Sequence, residues 1–399
     1  MAIKALVTAK ERIAIRSGGH APLAGSNNLQ SGVTIDLSHS NSIQYDGDSE
    51  LVIFGPGVRW KHIYTVLQEH GRIVAGGREG ETGVAGFLLG GGNTWFTAQK
   101  GFACDNVVSY DVVLADGHIV TAKKGAHDEL FRALKGGSNN FGVAVSFTMS
   151  TIPYQNIWGG TTMSSKEHIP DAIRAVARFT TNLPSHLGSS LIAGINYVPQ
   201  VKDIIIGGAL VETQGRQDAP AFAEWSNHWL DESATWFTLT IKNDTRIMCK
   251  AAEVHDLLVN DLKSYIPEGD FYTQCIFQPL PLTFAKHSVE VGGNVLGIEH
   301  NGFDGFILQL NAMVKTADQD NFAYQRVKAG IQTIKQFAEA EKGLLDWIYI
   351  NYADRSQGPL RSYGEENVKL MERVAETYDP NGVFQTLCPG GFKLRKGAS

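Results

Sequence analysis

Arg16-Ser17-Gly18-Gly19-His20 is the first stretch of this 399-residue chain whose residue types and spacing could do chemistry. Two consecutive residues without Cβ let successive backbone N–H groups turn toward one anion and form a nest for phosphate. A second stretch, residues 76–96 (GGREGETGVAGFLLGGGNTWF), spaces Gly83, Gly86 and the triplet Gly90-Gly91-Gly92 for close approach of a flat or phosphorylated ligand. One large cofactor would account for both. Neither stretch is G-x-G-x-x-G opening a long helix, and no G-x-x-x-x-G-K-[ST] occurs, so neither a Rossmann domain nor a P-loop is supported. Taken singly, either stretch could instead supply only the turns of a β-rich fold, and His20 alone could be a loop histidine bonded locally.

The elements that must position these residues come in two textures. Residues 1–150 are glycine-dense and set between short β-type runs: IAIR, GVTIDLS, LVIFGPGV, SYDVVLADGHIVTA and VAVSFTM. Residues 151–340 carry longer strands (DIIIGGALVE, TWFTLTIK, FILQLNAMVK) interleaved with helices. Apolar 3–4 spacing predicts helices in IPDAIRAVARFTTNL, APAFAEWSNHWLDES (219–233), AAEVHDLLVNDLKSY and QDNFAYQRVKAGIQTIKQFAEAEKG. Residues 341–399 return to a predicted strand, DWIYINYAD (346–354), and a helix, GEENVKLMERVAETYDP, stopped by Asp379-Pro380. The expectation is an α+β chain: a glycine-rich domain, an antiparallel cap with flanking helices, and a C-terminal segment returning to the first domain.

Composition excludes several partners. A 43% hydrophobic, 19% charged chain with formal charge −6 and pI near 6.1 argues against a nucleic-acid surface, and the longest apolar runs break too soon to span a membrane. Small molecules are the expected partners. Cys104, Cys249, Cys275 and Cys388 are too scattered for a zinc knuckle or a disulfide framework, so no metal is expected. The N-terminus lacks the apolar core and cleavage site of a signal peptide, while the sequon Asn243-Asp244-Thr245 is compatible with secretion; localisation is left open.

Together IRSGGHAPLAGSNN, GPGVRWKHIYTVLQEHG, the stretch from Thr82 through VVSYDVVLADGHIVTA, and ELFRALKGGSNNFGVAVSFTM resemble the flavin-binding domain of the vanillyl-alcohol oxidase and p-cresol methylhydroxylase (PCMH) superfamily. The tail, YINYAD with YGEENVKLMERVAETYDPNGVFQ, is similar to the C-terminal signature of its berberine bridge enzyme-like branch, and FQPLP…GGNVLG (277–297) to its fungal-type members. The resemblance implies a PCMH-type FAD-binding domain, with Arg16, Ser17, Gly18 and Gly19 cradling the pyrophosphate and His20 attached through its ring to the flavin. It also implies that Thr82, Gly83, Val84, Gly86, Gly90, Gly91 and Gly92 run beside the flavin ring and ribityl-phosphate, and that Gly142 and Val143 form the turn near the adenine. Doubly attached members carry a cysteine four residues before the glycine matching Gly83; here that residue is Glu79, so attachment through His20 only is expected.

The resemblance further makes Tyr352 the base, with Tyr349 and Asn351 as the other catalytic candidates. On a strand, Tyr349 and Asn351 would face one side and Tyr352 the other. Two aromatic core residues on a terminal strand is the plainer alternative. Gln278, His287 and Asn294 are the substrate candidates of the cap. Family members carry some fifty further residues ahead of the arginine-glycine-glycine-histidine turn, of which MAIKALVTAKERI supplies only the tail of a helix, so the N-terminus is expected to be truncated. The functional expectation is an FAD-dependent oxidase or dehydrogenase of a secondary-metabolite, alkaloid-like or sugar substrate, with oxygen taking the electrons. A biosynthetic cyclase on the same FAD-bound scaffold is the alternative, and a flavin-free binding remnant the third.

Overall fold

The computed structural model of the chain describes residues 2–217 and 235–394. The helix expected over 219–233 lies outside the described residues. Two compact units emerge: residues 1–154, 284–300 and 358–399 form the first, and 155–283 with 301–357 the second. Residues 284–300, expected in the cap, therefore cluster with the first unit, while 341–357 cluster with the second.

The first unit is built on a five-stranded antiparallel sheet in the order Ile43–Asp46, Leu51–Phe54, Val143–Ser150, Val107–Val113, Ile119–Lys123. Its core is aromatic: the Phe54 and Phe147 rings stack at 5.7 Å, and Tyr110 meets Phe147 edge-on at 5.6 Å. A separate parallel pair, Ile13–Arg16 with Val33–Asp36, carries the N-terminal motif. Ile3 of helix Ala2–Ala9 and Ile13 share one buried cluster with Val143, Phe384 and Cys388, so the first helix and residues 384–388 pack together with that pair.

The second unit is a seven-stranded antiparallel sheet in the order Trp158–Ser165, Asp203–Glu212, Ser189–Val198, Phe271–Leu280, Gly305–Val314, Thr235–Lys242, Leu344–Leu345. Helices Ile169–Asn182, Thr245–Lys263 and Ala317–Ala340 cover one face; each contains its expected apolar 3–4 stretch, although the second begins six residues ahead of the expected 251–265. The last two start with side-chain caps. Asp244 accepts from Arg246 N–H at 2.9 Å, and Thr316 with Gln319 forms a reciprocal capping box.

The strand expected over 346–354 is absent. Only Leu344–Leu345 pair with the sheet, and Ile350–Tyr352 form a 3₁₀ turn in which Tyr352 N–H donates to Tyr349 C=O at 3.0 Å. Residues three apart eclipse in such a turn, whereas strand parity would put them on opposite faces. Tyr349 and Tyr352 accordingly share a side, their rings 4.8 Å apart at 88°.

Candidate functional site

In the first unit the two glycine stretches meet. Arg16 ends its strand and donates from Nη2 to Asp36 Oδ2 at 2.6 Å. That guanidinium, together with Ser38 N–H on the other oxygen, holds the Asp36 carboxyl down at about 2. The Arg16 charge is thus engaged, and its backbone is what it brings to the turn. Ser17 Oγ donates to Pro56 C=O at 2.5 Å, and Arg59 Nη2 donates to Gly18 C=O at 3.3 Å.

Beyond Ser17 the main chain crosses another main chain. A Cβ on Gly18 would stand 2.5 Å from Gly83 Cα, and a Cβ on Gly83 would stand 2.5 Å from Gly18 Cα. No side chain fits between them, so each stretch requires the other's glycine. Gly19 follows with φ +70°, in the left-handed region, and presents His20 to solvent.

Gly83 is the extended residue ahead of the short helix Val84–Leu89. Glu79 ties the turn that delivers it: one carboxylate oxygen accepts from Glu81 N–H at 2.8 Å, the other from Thr82 Oγ at 3.0 Å. Gly86 lies on the exposed side, with nothing within 4 Å of where its Cβ would be, and Gly91 and Gly92 continue at φ +98° and +82°. A left-handed glycine turn, a glycine–glycine crossing and an open glycine face suit a group held by close approach to main-chain atoms. Gly142 and Val143 have a packing explanation: a Cβ on Gly142 would stand 2.4 Å from Val112 Cγ1, and Val143 belongs to the buried cluster under the parallel pair.

Two of the expected substrate residues are elsewhere than in the antiparallel sheet. Asn294 and His287 belong to the 284–300 segment of the first unit. Asn294 is buried, its Nδ2 donating to Asp105 Oδ1 at 2.9 Å, and a Cβ on Gly101 would stand 3.2 Å from the His287 ring. Asn294, named as a substrate candidate, is thus a buried hydrogen-bond partner of Asp105 within the first unit. Asn243 of the sequon has its amide engaged as well, donating to Ala177 C=O and Thr181 Oγ at 3.0 Å each.

Gln278 does lie on the sheet of the second unit, on the face away from the helices. Its strand alternates: Thr273 meets His255 of helix Thr245–Lys263, and Phe277 lines one cavity with Ile173 and Met248 of the helices, while Gln274, Ile276 and Gln278 turn to the other face. Register then lines up Trp236, Asn311, Gln274 and Asn196 as one row across four strands, with Thr238 and Gln309 in the next row. These rows hold no Asp, Glu, Lys or Arg. Asn311 Nδ2 donates to Gln274 Oε1 at 3.0 Å, Gln274 Nε2 donates to Tyr272 Oη at 3.2 Å, and Asn196 Oδ1 and Asn311 Oδ1 are buried without a hydrogen-bond donor. Sequence reasoning named Gln278 and did not name Asn196, Gln274, Gln309 and Asn311, which lie on the same sheet face. The available signal was polar residues at every second position of otherwise apolar strands.

Tyr352 lies against the same unit's aromatics, its ring 5.5 Å from Trp236 and 4.8 Å from Tyr349. Asn351 Nδ2 donates to Tyr349 Oη at 3.2 Å, and Trp347 stacks on Tyr349 at 5.7 Å. The three catalytic candidates therefore form one cluster through the 3₁₀ turn.

Known proteins share this organisation. Residues 1–123 match the family described as FAD binding domain. Over 405 residues the chain is 35% identical to the FAD-dependent monooxygenase drtC of Aspergillus calidoustus, covering 96% of this chain and 77% of that protein. Two solved structures share the fold. One is 6-hydroxy-D-nicotine oxidase from Arthrobacter nicotinovorans (TM-score 0.77, 17% identity, 96% of this chain and 87% of that chain). The other is glucooligosaccharide oxidase from Acremonium strictum, described with a 6-S-cysteinyl, 8α-N1-histidyl FAD (TM-score 0.75, 17% identity, 96% and 87%). The chain belongs to the family of FAD-dependent oxidoreductases that includes the fungal FAD-dependent monooxygenases. It is an FAD-linked oxidoreductase with a PCMH-type fold.

Proposed function

We propose that this protein is a berberine bridge enzyme-like oxidase or dehydrogenase of a small organic substrate, with FAD attached through His20 alone. The Gly18–Gly83 crossing carries the reading, because it joins the phosphate-nest turn and the glycine stretch into one main-chain cradle. The chemistry that bound FAD would supply is acceptance of a hydride from a substrate carbon. The chain's own part begins with backbone: residues 16–19 hold the pyrophosphate, and 82–86 with 90–92 border the ring and ribityl chain. His20 stands exposed on the left-handed turn, where its ring can take the covalent bond. Glu79, which occupies the place of a second attachment, is spent on closing its turn.

Tyr352 takes the proton from the substrate O–H or N–H as the C–H bond is broken, and Tyr349, oriented by Asn351, fixes its ring. Gln278 and the neighbouring carboxamide row orient the substrate, the two undonated amide oxygens of Asn196 and Asn311 suiting a ligand rich in hydroxyls. Oxygen would serve as the electron acceptor.

Acid precipitation of the purified protein tests the linkage. Yellow colour should stay with the pellet, and move to the supernatant in His20→Ala; colour in the wild-type supernatant would overturn the bond. Anaerobic addition of substrate should bleach the flavin. Product formed with the flavin oxidised and no oxygen consumed would replace the oxidase reading with the cyclase one.

A further inference from the structure

We infer that Asp105 and Asn294 form a buried clamp that sets the Gly91–Gly92 main chain for the flavin, making both positioning residues. The inference rests on the reading that residues 90–92 border that cofactor. Asp105 sits in the 3₁₀ turn Ala103–Asn106, whose first two amides hold the glycines: Ala103 N–H donates to Gly92 C=O at 2.8 Å and Cys104 N–H to Gly91 C=O at 2.9 Å. Where this turn points, the Gly91 and Gly92 carbonyls follow. The Asp105 carboxylate closes the turn, Oδ2 accepting from Phe102 N–H at 2.9 Å. Gly101 leaves room for it: φ is +70°, and a Cβ there would stand 2.5 Å from Asp105 Oδ2.

The other Asp105 oxygen accepts from Asn294 Nδ2 at 2.9 Å, a partner 189 residues away in sequence. Asn294 Oδ1 in turn accepts from Leu296 N–H at 2.9 Å, and the Asn294 main chain is held by Arg132 Nε at 3.2 Å. Val295 N–H donates to Lys135 C=O at 3.1 Å. These bonds seat Leu296 beside Gly91, its Cδ1 3.0 Å from where a Gly91 Cβ would be. Gly91 is thus held on one side through its carbonyl by the Asp105 turn and on the other by Leu296, and Asn294 fixes both. Both ends of the buried Asn294 carboxamide are thus committed to the first unit's own main chain and side chains. Burial pushes the Asp105 carboxyl up, while the Lys135 charge and the Asn294 and Phe102 donors pull it down, so removing a donor weakens the grip of the charged form.

The test uses the full chain in a His20→Ala background, so that FAD exchanges, with FAD as the probe. Hydrogen exchange should show FAD protecting the amides of residues 90–93 in this parent. Asn294→Leu should weaken FAD binding about tenfold, the size expected when a buried charge-assisted hydrogen bond is lost, and reduce that protection. The exchanged pair Asp105→Asn with Asn294→Asp should recover most of the affinity, because donor and acceptor are swapped rather than removed. This pair also serves if Asn294→Leu alone fails to fold. Protection in the parent with unchanged affinity in Asn294→Leu, or no recovery in the exchanged pair, would overturn the clamp alone. Unprotected 90–93 in a parent that binds FAD would overturn the underlying reading of the glycines, and the clamp with it.

Discussion

The two units build their candidate sites from opposite materials. In the first, main chain does the work: Gly18 lies on Gly83, Gly19 is left-handed and Gly86 is open. In the second, side chains do it: a row of carboxamides and aromatics on one sheet face, with a tyrosine pair in a 3₁₀ turn. A site made of backbone depends on residues that are absent at Cβ, so substitutions there fail by collision. A site made of side chains depends on functional groups, so substitutions there fail by lost chemistry while the strands stand. Loading and turnover should therefore separate cleanly between the units.

The largest expected effect is at the crossing. Gly83→Val places branched carbon against the Gly18 main chain and should abolish flavin loading, with about 3 kcal/mol of stability lost in urea denaturation. A Gly83→Val protein that loads normally would break the contrast. Next, Tyr352→Phe should lower turnover about a hundredfold while flavin absorbance per chain stays at the wild-type level, as loss of a general base does. Tyr349→Phe should do less. The reverse order would move the base to Tyr349 within the same cluster.

A third prediction concerns acid and only the second unit. His255 is fully buried, its Nε2 2.8 Å from Thr273 Oγ, and burial lowers its pKa from 6.5 to about 3. The folded value lies below the unfolded one, so this histidine's contribution is complete above pH 6.5 and is lost as pH falls toward 3. The loss should run at about 1.4 kcal/mol per pH unit. His255→Gln should be less stable at pH 7, and the gap to wild type should narrow in urea melts at pH 5.5 and 4.5; a constant gap would refute it. The smallest effect tells backbone space from backbone strain. Gly86→Ala should stabilise the flavin-free chain by roughly 0.5–1 kcal/mol, as alanine does in a helix, yet weaken flavin binding. Tighter binding would mean that Gly86 does not face the cofactor.

Much of this organisation is legible in the sequence. The long helices follow their apolar spacing, and the strands 203–212 and 235–242 fall where alternation and β-branched residues put them. The segment 346–354 departs from the expected strand because apolar and aromatic residues in a short run suit a strand and a 3₁₀ turn equally, and only the i to i+3 bonds decide. The segment 284–300 was misassigned for a different reason. Its neighbours in sequence are cap strands, but Asn294 and Leu296 find Asp105 and Gly91 far back in the chain.

By itself the amino-acid sequence carried the family resemblance, and the class of cofactor chemistry came with it. Glycines at particular spacings and a histidine after Gly18-Gly19 are constraints on single positions, and such constraints survive in a string of letters. Only the tertiary structure decided which glycines touch, that Tyr349 and Tyr352 share a side, that Asn196, Gln274 and Asn311 form one row, and that Asn294 serves Asp105. These are pairings between residues tens to hundreds of positions apart. They are set by strand register and turn geometry, which no single segment encodes.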